Sequence, residues 1–374
     1  MSDLDEICDY FSGLEEPRGK KGRRHKLQDI IVIAVCAMIC GADGFKGMKI
    51  FGESKEDWLK TFLELENGIP SEDTFGRVFS MIDPEKFRNC FIKWVSSISD
   101  LIEGEVISID GKTACNSGDK KNNKEAIHLV SAWANSAQLV LAQEKTETKS
   151  NEIKAIPKIL ELLHLQDCII TIDAMGCQES IAEKIASKKA DYVLALKKNN
   201  KNFYEDVKSL FELESENDYS DISCDYYETI NKNHGRIERR RYYITSEIDD
   251  LPHELEWEGI KSVGMVEAKR KVDGEESIER RYYITSLEED AKEFGEAVRK
   301  HWGIENCVHW SLDVTFKEDN SRVRKNNAAE NLALLRKIAL NALKQEKSYD
   351  GGKGSKRYKA ALDTDYLLKL LSIL

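Results

Sequence analysis

The chain has 374 residues, of which 41% are hydrophobic and 33% are charged, with a formal net charge of −11. This length and apolar content suffice for a sizeable core and more than one structural unit. The nine cysteines are odd in number and form no C-x-x-C pair, which excludes a regular disulfide framework. The acidic balance argues at first against a nucleic-acid partner, but net charge does not show where the basic residues lie.

The start of the chain predicts no membrane association. The first residues, MSDLDEICDYFSG, lack the charged-then-apolar order of a signal peptide. The longest apolar run, IIVIAVCAMICGA at 30–42, is too short to cross a bilayer and indicates a buried helix. We therefore expect a protein of a reducing cytoplasm.

Residues 1–98 are predicted to form a helical domain. A basic run, PRGKKGRRHK, precedes the apolar helix, and the Asp83-Pro84 pair is a start signal for a later helix. Several short helices beside such a basic cluster suit a small DNA-binding or assembly module. Arg23 and Arg24 are then candidate DNA contacts, and a solvated linker is the alternative for the basic run.

Residues 99–346 are predicted to form an α/β domain. The strand patterns lie, in order, at 105–113, 127–136, 139–146, 168–176 and 191–197. Helical spacing appears at 151–166 and 178–190. Three strands, helix, strand, helix, strand is the order of the ribonuclease-H-like fold.

A β-rich insertion is predicted at 199–288, between the fifth strand and the final helices. Within it the chain nearly repeats itself, as RIERRRYYITS at 236–246 and SIERRYYITS at 277–286. Similar strands lying side by side in one small sheet explain this without a repeat architecture. Helices return after the insertion, and 347–374 is expected to be a basic tail with a short helix.

Three carboxylates stand out by their position. Asp110 lies in the first strand, Asp173 ends the fourth strand, and Glu305 lies on a late helix. In the proposed topology the first and fourth strands are adjacent and parallel, so a helix packed across the sheet brings all three together. Such a group would repel and take up protons unless a cation neutralised it, and hard oxygen ligands favour Mg²⁺ or Mn²⁺. Two ions, roughly 3.5–4 Å apart, would serve an in-line phosphoryl transfer.

The stretch HWGIENCVHWSLDVTF offers a different metal hypothesis. His301, Glu305, His309 and Asp313 follow at steps of four residues, which on a helix places them on one stripe. A zinc hydrolase with His301, Glu305 and His309 as ligands is conceivable. Three ligands on one straight helix, however, span about 12 Å of axis and cannot all reach one ion. This hypothesis ranks last.

Four blocks of the chain carry a specific resemblance. They are SIDGKT (108–113), TIDAMGCQ (171–178), HGRIERR (234–240) and HWGIENCVHWSLDVTFKEDNSRVRKNNAAENLALLRK (301–337). In this order they resemble the signature blocks of DDE transposases of bacterial insertion sequences, and most closely the H-repeat-associated protein family. The helical module 1–95 also resembles the amino-terminal associated domain of that family.

The resemblance implies that Asp110, Asp173 and Glu305 are the Asp-Asp-Glu triad, at intervals of 63 and 132 positions. It implies a DNA transposase that binds the terminal inverted repeats of its element, nicks DNA by metal-dependent hydrolysis and transfers the strand to target DNA. Two Mg²⁺ or Mn²⁺ ions are the expected cofactors. The expected assembly is a homodimer on double-stranded DNA, in the bacterial cytoplasm and at the nucleoid when acting.

The remaining predicted contacts to DNA surround these blocks. They are Lys112, Arg236, His301, Trp302, Asn306, His309, Lys317, Arg322 and Arg324. Lys112 points to the same strand face as Asp110 and could neutralise a phosphate, while Trp302 could stack on an unpaired base. Core packing is the favoured alternative for Trp302 and Trp310.

The sequence departs from the related transposases at two places. Seven residues after Glu305 stands Leu312 where relatives carry a lysine, so the phosphate-contacting role passes to Lys317, Arg322 and Arg324. After DGKT, relatives often carry a basic residue where this chain has ACNS. This second departure motivates an alternative interpretation, a domesticated DNA-binding protein that no longer cuts.

Overall fold

The computed structural model describes residues 10–99, 101–119, 121, 124–146, 151–216, 223–233, 236–249, 251, 257–272 and 275–374. The helices are α1 Leu27–Ile39, α2 Phe45–Ser54, α3 Glu56–Leu59, α4 Glu72–Met81, α5 Pro84–Ile98, α6 Glu152–Leu162, α7 Glu179–Ser187, α8 Lys201–Glu216, α9 Ala291–Gly303, α10 Trp310–Val314, α11 Ala328–Gln345, α12 Lys353–Leu362 and α13 Thr364–Leu371. The strands are β1 Val106–Thr113, β2 His128–Ala134, β3 Leu139–Thr146, β4 Ile169–Ile172, β5 Asp191–Leu196, β6 Asp225–Asn233, β7 Arg236–Thr245, β8 Ser262–Val272 and β9 Glu275–Thr285. None of these helices combines the length and apolar character needed to span a bilayer.

The local start signals of the first helices act as their sequence predicts. The Asp83 side chain accepts hydrogen bonds from the N–H groups of Glu85 and Lys86, and Pro84 occupies the first turn of α5. The sequence of residues 53–66 predicts a single helix there, and this prediction is wrong. The chain instead breaks between α2 and α3 and leaves the helix after Leu59, ahead of a glycine turn at Gly68 with φ +69°.

One mixed sheet runs through the molecule in the order β3-β2-β1-β4-β5-β9-β8-β7-β6. Strands β1, β4 and β5 are parallel, and every other neighbouring pair is antiparallel. The architecture is therefore a mixed α/β fold, and the predicted adjacency of the first and fourth strands is confirmed.

The strands of the predicted insertion differ from the expectation in two respects. The near-identical strands β7 and β9 do not lie side by side, because β8 pairs with both. They also do not form a small sheet of their own, because β9 hydrogen-bonds to β5 and so continues the sheet that carries β1 and β4. The sequence repeat thus marks two strands of the same direction, separated by an antiparallel one.

Helix α11 lies at the centre of the core and joins the helical region to the sheet. It packs against α1, α4 and α5 on one side and against β3 on the other. The Asn341 side chain accepts from the Val140 N–H and donates to the Val140 carbonyl, both at 2.9 Å, so it bonds directly to the edge strand β3. Asn331 donates to the carbonyls of Phe79 and Ile82 at the end of α4.

The short helix predicted at the end of the chain is present as α13, but 347–374 does not form an extended basic tail, because α12 and α13 fold into the core. The Arg357 guanidinium donates to the Met38 carbonyl at 3.0 Å and lies 4.4 Å over the Phe316 ring. The Lys356 ammonium donates to the Leu343 carbonyl at 3.0 Å. Lys356 and Arg357 therefore satisfy carbonyls at helix ends instead of extending into solvent.

Candidate active site

The structure brings the three predicted carboxylates to one cavity of about 590 Å³. Ile109 of β1 pairs with Ile172 of β4 in parallel, so the next residue on each strand, Asp110 and Asp173, lies at the same level of the sheet. Glu305 reaches the cavity from the helical segment that follows α9. The convergence rests on the carboxyl ends of two neighbouring parallel strands meeting at one edge.

The Asp110 carboxyl is largely buried, with 18% of its side chain exposed. Its Oδ1 atom accepts the Gly111 N–H at 2.8 Å. Burial raises the pKa of Asp110 to about 7 against that hydrogen bond, and the negative charges of Asp173, Glu152 and Glu305 add to the rise. The Asp173 side chain accepts the Met175 N–H at 3.1 Å and caps a short 3₁₀ turn. The neighbouring carboxylates therefore add to burial in disfavouring the ionised form of Asp110.

The helix that carries Glu305 is not a regular α-helix. Between α9 and α10, residues Ile304–His309 form a π-helix, whose wider turn breaks the steps of four on which the predicted stripe depended. The predicted stack of His301, Glu305, His309 and Asp313 is therefore wrong. Each of these side chains has a different neighbour.

The two histidines of this stretch are neutral and lie apart. His301 Nδ1 is hydrogen-bonded to Thr171 Oγ1 at 3.0 Å, and burial lowers the pKa of His301 to about 4. His309 Nδ1 lies 3.6 Å from Asp110 Oδ2, and burial together with the charges of Lys337 and Lys112 lowers the pKa of His309 to about 3. His309 Nε2 is buried with no hydrogen-bond partner among the described residues.

Within the described ranges, no three His, Cys, Asp or Glu side chains are grouped closely enough to hold a metal ion. The zinc arrangement of His301, Glu305 and His309 accordingly does not form. The oxygen donors of Asp110, Asp173 and Glu305 fit a hard divalent cation by their chemistry and by the burial and like charges that raise the pKa of Asp110.

Lys112 does not point into this cavity. Its Nζ atom lies 2.7 Å from Asp313, 3.3 Å from Glu318 and 3.3 Å from Asp319, and its side chain is 11% exposed. The phosphate contact predicted for Lys112 therefore needs a correction, because three carboxylates take up its charge. Through these ion pairs Lys112 links β1 to the segment that follows the π-helix.

The other basic residues predicted to contact DNA lie outside the carboxylate cavity. Lys317 pairs with Asp43 at 3.1 Å, Arg324 Nε donates to the Asn116 carbonyl at 3.2 Å, and Arg322 is exposed. In the helical region Arg23 and Arg24 are exposed, and Arg23 Nε donates to the Arg18 carbonyl at 2.9 Å. Arg236 opens β7, but its side chain lies outside the described residues.

The cavity has a basic rim that the sequence analysis missed. Lys197, Lys198 and Arg280 line it together with the three carboxylates. The signal was present in the LKKNNK stretch, since Lys197 directly follows Leu196 at the carboxyl end of β5, the same sheet edge that presents Asp110 and Asp173. Positive side chains at that edge suit a phosphate-bearing substrate.

A second cavity of about 430 Å³ adjoins the first. It lies between α9 and the strands β7 to β9, and it is lined by the predicted DNA contacts Trp302 and Asn306. Trp302 is half-buried and borders both cavities, with the Arg281 guanidinium 5.0 Å from its ring centroid. Trp310, by contrast, is 55% exposed, so the core packing expected for it is wrong.

The chain is similar to known transposase sequences over nearly its whole length. The family model for the transposase DDE domain matches residues 101–342, and a model described as DDE_Tnp_1-associated matches residues 8–95. The chain is 42% identical to "Putative transposase YncI" of Escherichia coli O157:H7 over 373 residues, which cover 99% of this chain and 95% of that protein. It is 39% identical to "H repeat-associated putative transposase YhhI" of Escherichia coli strain K12, covering 99% and 98% of the two chains.

Among solved structures, a cryo-EM structure of the piggyBac transposase synaptic complex with hairpin DNA aligns over 98% of this chain and 77% of that one. The TM-score is 0.43 at 11% sequence identity, which is too low to carry a conclusion about the fold. The family model and the full-length relatives confirm the resemblance of the sequence blocks. The chain belongs to the DDE transposase-domain family, with H repeat-associated proteins among its relatives.

Proposed function

We propose that this protein is a DNA transposase that nicks DNA at the ends of its element by hydrolysis and transfers the freed strand to target DNA. The observation that carries the proposal is the meeting of Asp110, Asp173 and Glu305 in one cavity, from three distant parts of the chain. The family assignment supports it. The basic rim of Lys197, Lys198 and Arg280 supports a phosphate-bearing substrate in the same place.

The arrangement of the central strands supports a ribonuclease-H-like catalytic unit. The meander β3-β2-β1 is antiparallel, and β4 and β5 follow parallel to β1. The short 3₁₀ turn after β4 presents Asp173 beside Asp110. In this proposal β6 to β9 extend the sheet of that unit.

The proposed cofactors are two Mg²⁺ or Mn²⁺ ions, which Asp110, Asp173 and Glu305 would hold. When bound, such ions activate a water or a 3′-hydroxyl and stabilise the leaving oxygen of an in-line displacement. The side chains of the cavity would bind these ions: the carboxylates supply hard oxygen ligands, and the neutral His309 lies beside Asp110. Lys197 and Lys198 attract and orient the phosphodiester.

The proposed partners are the terminal inverted repeats of the element and the target DNA. Joining two ends requires two copies of the chain, so we propose a homodimer on DNA, acting at the nucleoid in the bacterial cytoplasm. The exposed Arg23 and Arg24 of the helical region are the proposed contacts for end binding. Because these arginines would contact phosphates, the affinity of the protein for DNA should fall as the salt concentration rises.

Removing one carboxylate at a time tests the proposed triad. We expect Asp110→Asn, Asp173→Asn and Glu305→Gln each to abolish nicking of terminal-repeat DNA in Mn²⁺, because each removes a ligand charge. Binding of the same DNA, measured by fluorescence anisotropy, should remain. Asp167→Asn is the matched control, since Asp167 is an exposed acid at the opposite end of β4 and an asparagine tolerates its φ of +61°.

Nicking at the wild-type rate by any of the three variants would remove that residue from the triad. Purified wild-type protein that binds the repeats but never nicks them would instead favour the domesticated DNA-binding alternative.

A further inference from the structure

The cavity beside the carboxylates is rich in arginine. Arg240, Arg270, Arg281 and Arg299 line it, together with two acids, Glu238 and Glu279. These side chains come from β7, β8, β9 and α9, so three strands and a helix contribute to one concave surface. Two positive charges remain after the acids are counted.

The acids do not neutralise the arginines evenly. Glu238 serves two of them, at 2.7 Å from Arg240 and 2.8 Å from Arg270. Arg281 is 2.8 Å from Glu279. Arg299 is exposed and has no carboxylate partner among the described residues.

The excess of positive charge in this cavity is most evident at Arg240. Its side chain is only 12% exposed, and its Nη1 atom is buried with no hydrogen-bond partner in the described part of the chain. Burial and the positive charges of Arg299 and Arg270 lower the pKa of Arg240. A buried guanidinium donor held among like charges is stabilised by an anion that accepts its hydrogen bond.

The arginine cavity adjoins the carboxylate cavity. Arg281 and Trp302 border both, with the guanidinium over the indole ring. A volume of about 430 Å³ lies in the range of pockets that take a small molecule, so it admits a unit the size of a nucleotide and excludes a duplex. A single strand passing out of the carboxylate cavity would meet these arginines next.

We infer that the arginine cavity binds the phosphodiester backbone of an unpaired DNA strand as it leaves the carboxylate cavity. This inference rests on the proposed function and deepens it, because it assigns a single-strand subsite beyond the reacting phosphate. Arg240 and Arg299 contact the phosphate, and Trp302 forms the wall between the two cavities.

The pleat of β7 provides a matched control. Successive side chains of a strand face opposite sides of the sheet, so Arg240 faces the cavity while Arg239 faces away from it. Arg239 lies 3.5 Å from Glu228 of β6 on that other face. The two arginines thus share a strand and a charge and differ in the surface that they reach.

The test compares Arg299→Gln, Arg240→Gln and Arg239→Gln in the full-length protein. The probe is a fluorescein-labelled duplex with a single-stranded 3′ overhang, with the blunt duplex as reference. We expect Arg299→Gln and Arg240→Gln to bind the overhang duplex about tenfold more weakly and to lower the slope of log affinity against log salt by about one. Arg239→Gln should bind both probes as the wild type does.

Equal losses for Arg239→Gln and Arg299→Gln, or no difference between the overhang and blunt duplexes, would overturn the inference. Arg299 makes no ion pair among the described residues, so its variant keeps the test valid if Arg240→Gln does not fold. The outcome is separate from that of the triad variants. Unchanged overhang binding by Arg299→Gln refutes the subsite, whereas wild-type protein that binds the terminal repeats but never nicks them refutes the proposed function.

Discussion

Lys112 shows how a single residue two positions from a proposed catalytic acid can act through structure. The side chain is nearly buried and lies within 3.3 Å of three carboxylates, of which Glu318 is only 2% exposed. Burial raises the pKa of Glu318, but the positive charges of Lys337, Arg336 and Lys112 outweigh it and lower the value overall. Lys112 is therefore one of the cations that keep a buried acid ionised.

Replacing this lysine by methionine should destabilise the protein. We expect Lys112→Met to lower the free energy of unfolding by about 3 kcal/mol, because the buried Glu318 carboxylate loses a cation. Urea titration at pH 7 measures this. Lys317→Met is the control, since Lys317 forms an exposed pair with Asp43 and should cost less than about 1 kcal/mol.

The stability that Lys112 contributes through Glu318 should depend on pH in a defined direction. A carboxyl with a lowered folded-state pKa contributes stability above its ordinary pKa of 4.5, and that stability is lost as the pH falls through the folded-state value. The difference between wild type and Lys112→Met should therefore shrink on acidification below pH 4.5. A difference that stays constant to pH 3 would contradict the role given to Glu318.

At the scale of elements, the π-helix decides where Glu305 points. A π-helix corresponds to one extra residue accommodated in an α-helix, and here it lies between α9 and α10. It sets the direction of Glu305 and the contact of His309 with Asp110. The extra residue is therefore part of the site's geometry.

Deleting Cys307 should convert this turn to a regular α-helix. We expect the variant to fold but to nick DNA about 100-fold more slowly, because a shift of about 1 Å at the reacting groups has an effect of that size. Cys307→Ala, which keeps the chain length, should nick within a few-fold of the wild type. Circular dichroism verifies folding, and a deletion variant as active as Cys307→Ala would show that the π-helix is dispensable.

These elements also show what the sequence could and could not predict. Strands β1 to β5 and the meeting of Asp110 with Asp173 were predictable, because hydrophobic alternation and parallel adjacency are local or topological properties. The π-helix was not, since HWGIENCVHW has the spacing of an α-helix and only tertiary contacts widen the turn. The partners of Lys112 were missed for the same reason: Glu318 and Asp319 are about 200 positions away.

On the scale of the whole molecule, α11 gives the helical region and the sheet a common core. It is buried along nearly all its length between α1 and β3. The domain boundaries predicted at 98 and 346 remain predictions, and they divide the sequence at places that this helix bridges by packing. We therefore expect the helical region and the sheet to unfold as one cooperative unit.

Leu335→Ala tests that cooperativity from the centre of α11. Leu335 is fully buried, so its truncation should cost about 3 kcal/mol. Hydrogen exchange followed by mass spectrometry should show equal losses of protection in α4 and in β2. Leu362→Ala, at an exposed leucine of α12, should change neither. Loss of protection in only one of the two regions would show that they unfold independently.

The position of α11 also has a consequence for synthesis on the ribosome. The apolar helix α1 is complete early, yet the helix that covers it is encoded about 300 residues later. For most of translation, the side chains from Ile30 to Ile39 lack the cover that α11 provides and are exposed to nascent-chain chaperones. A polypeptide that ends before residue 328 would lack α11. Its apolar α1 segment would stay exposed and would be a substrate for proteolysis.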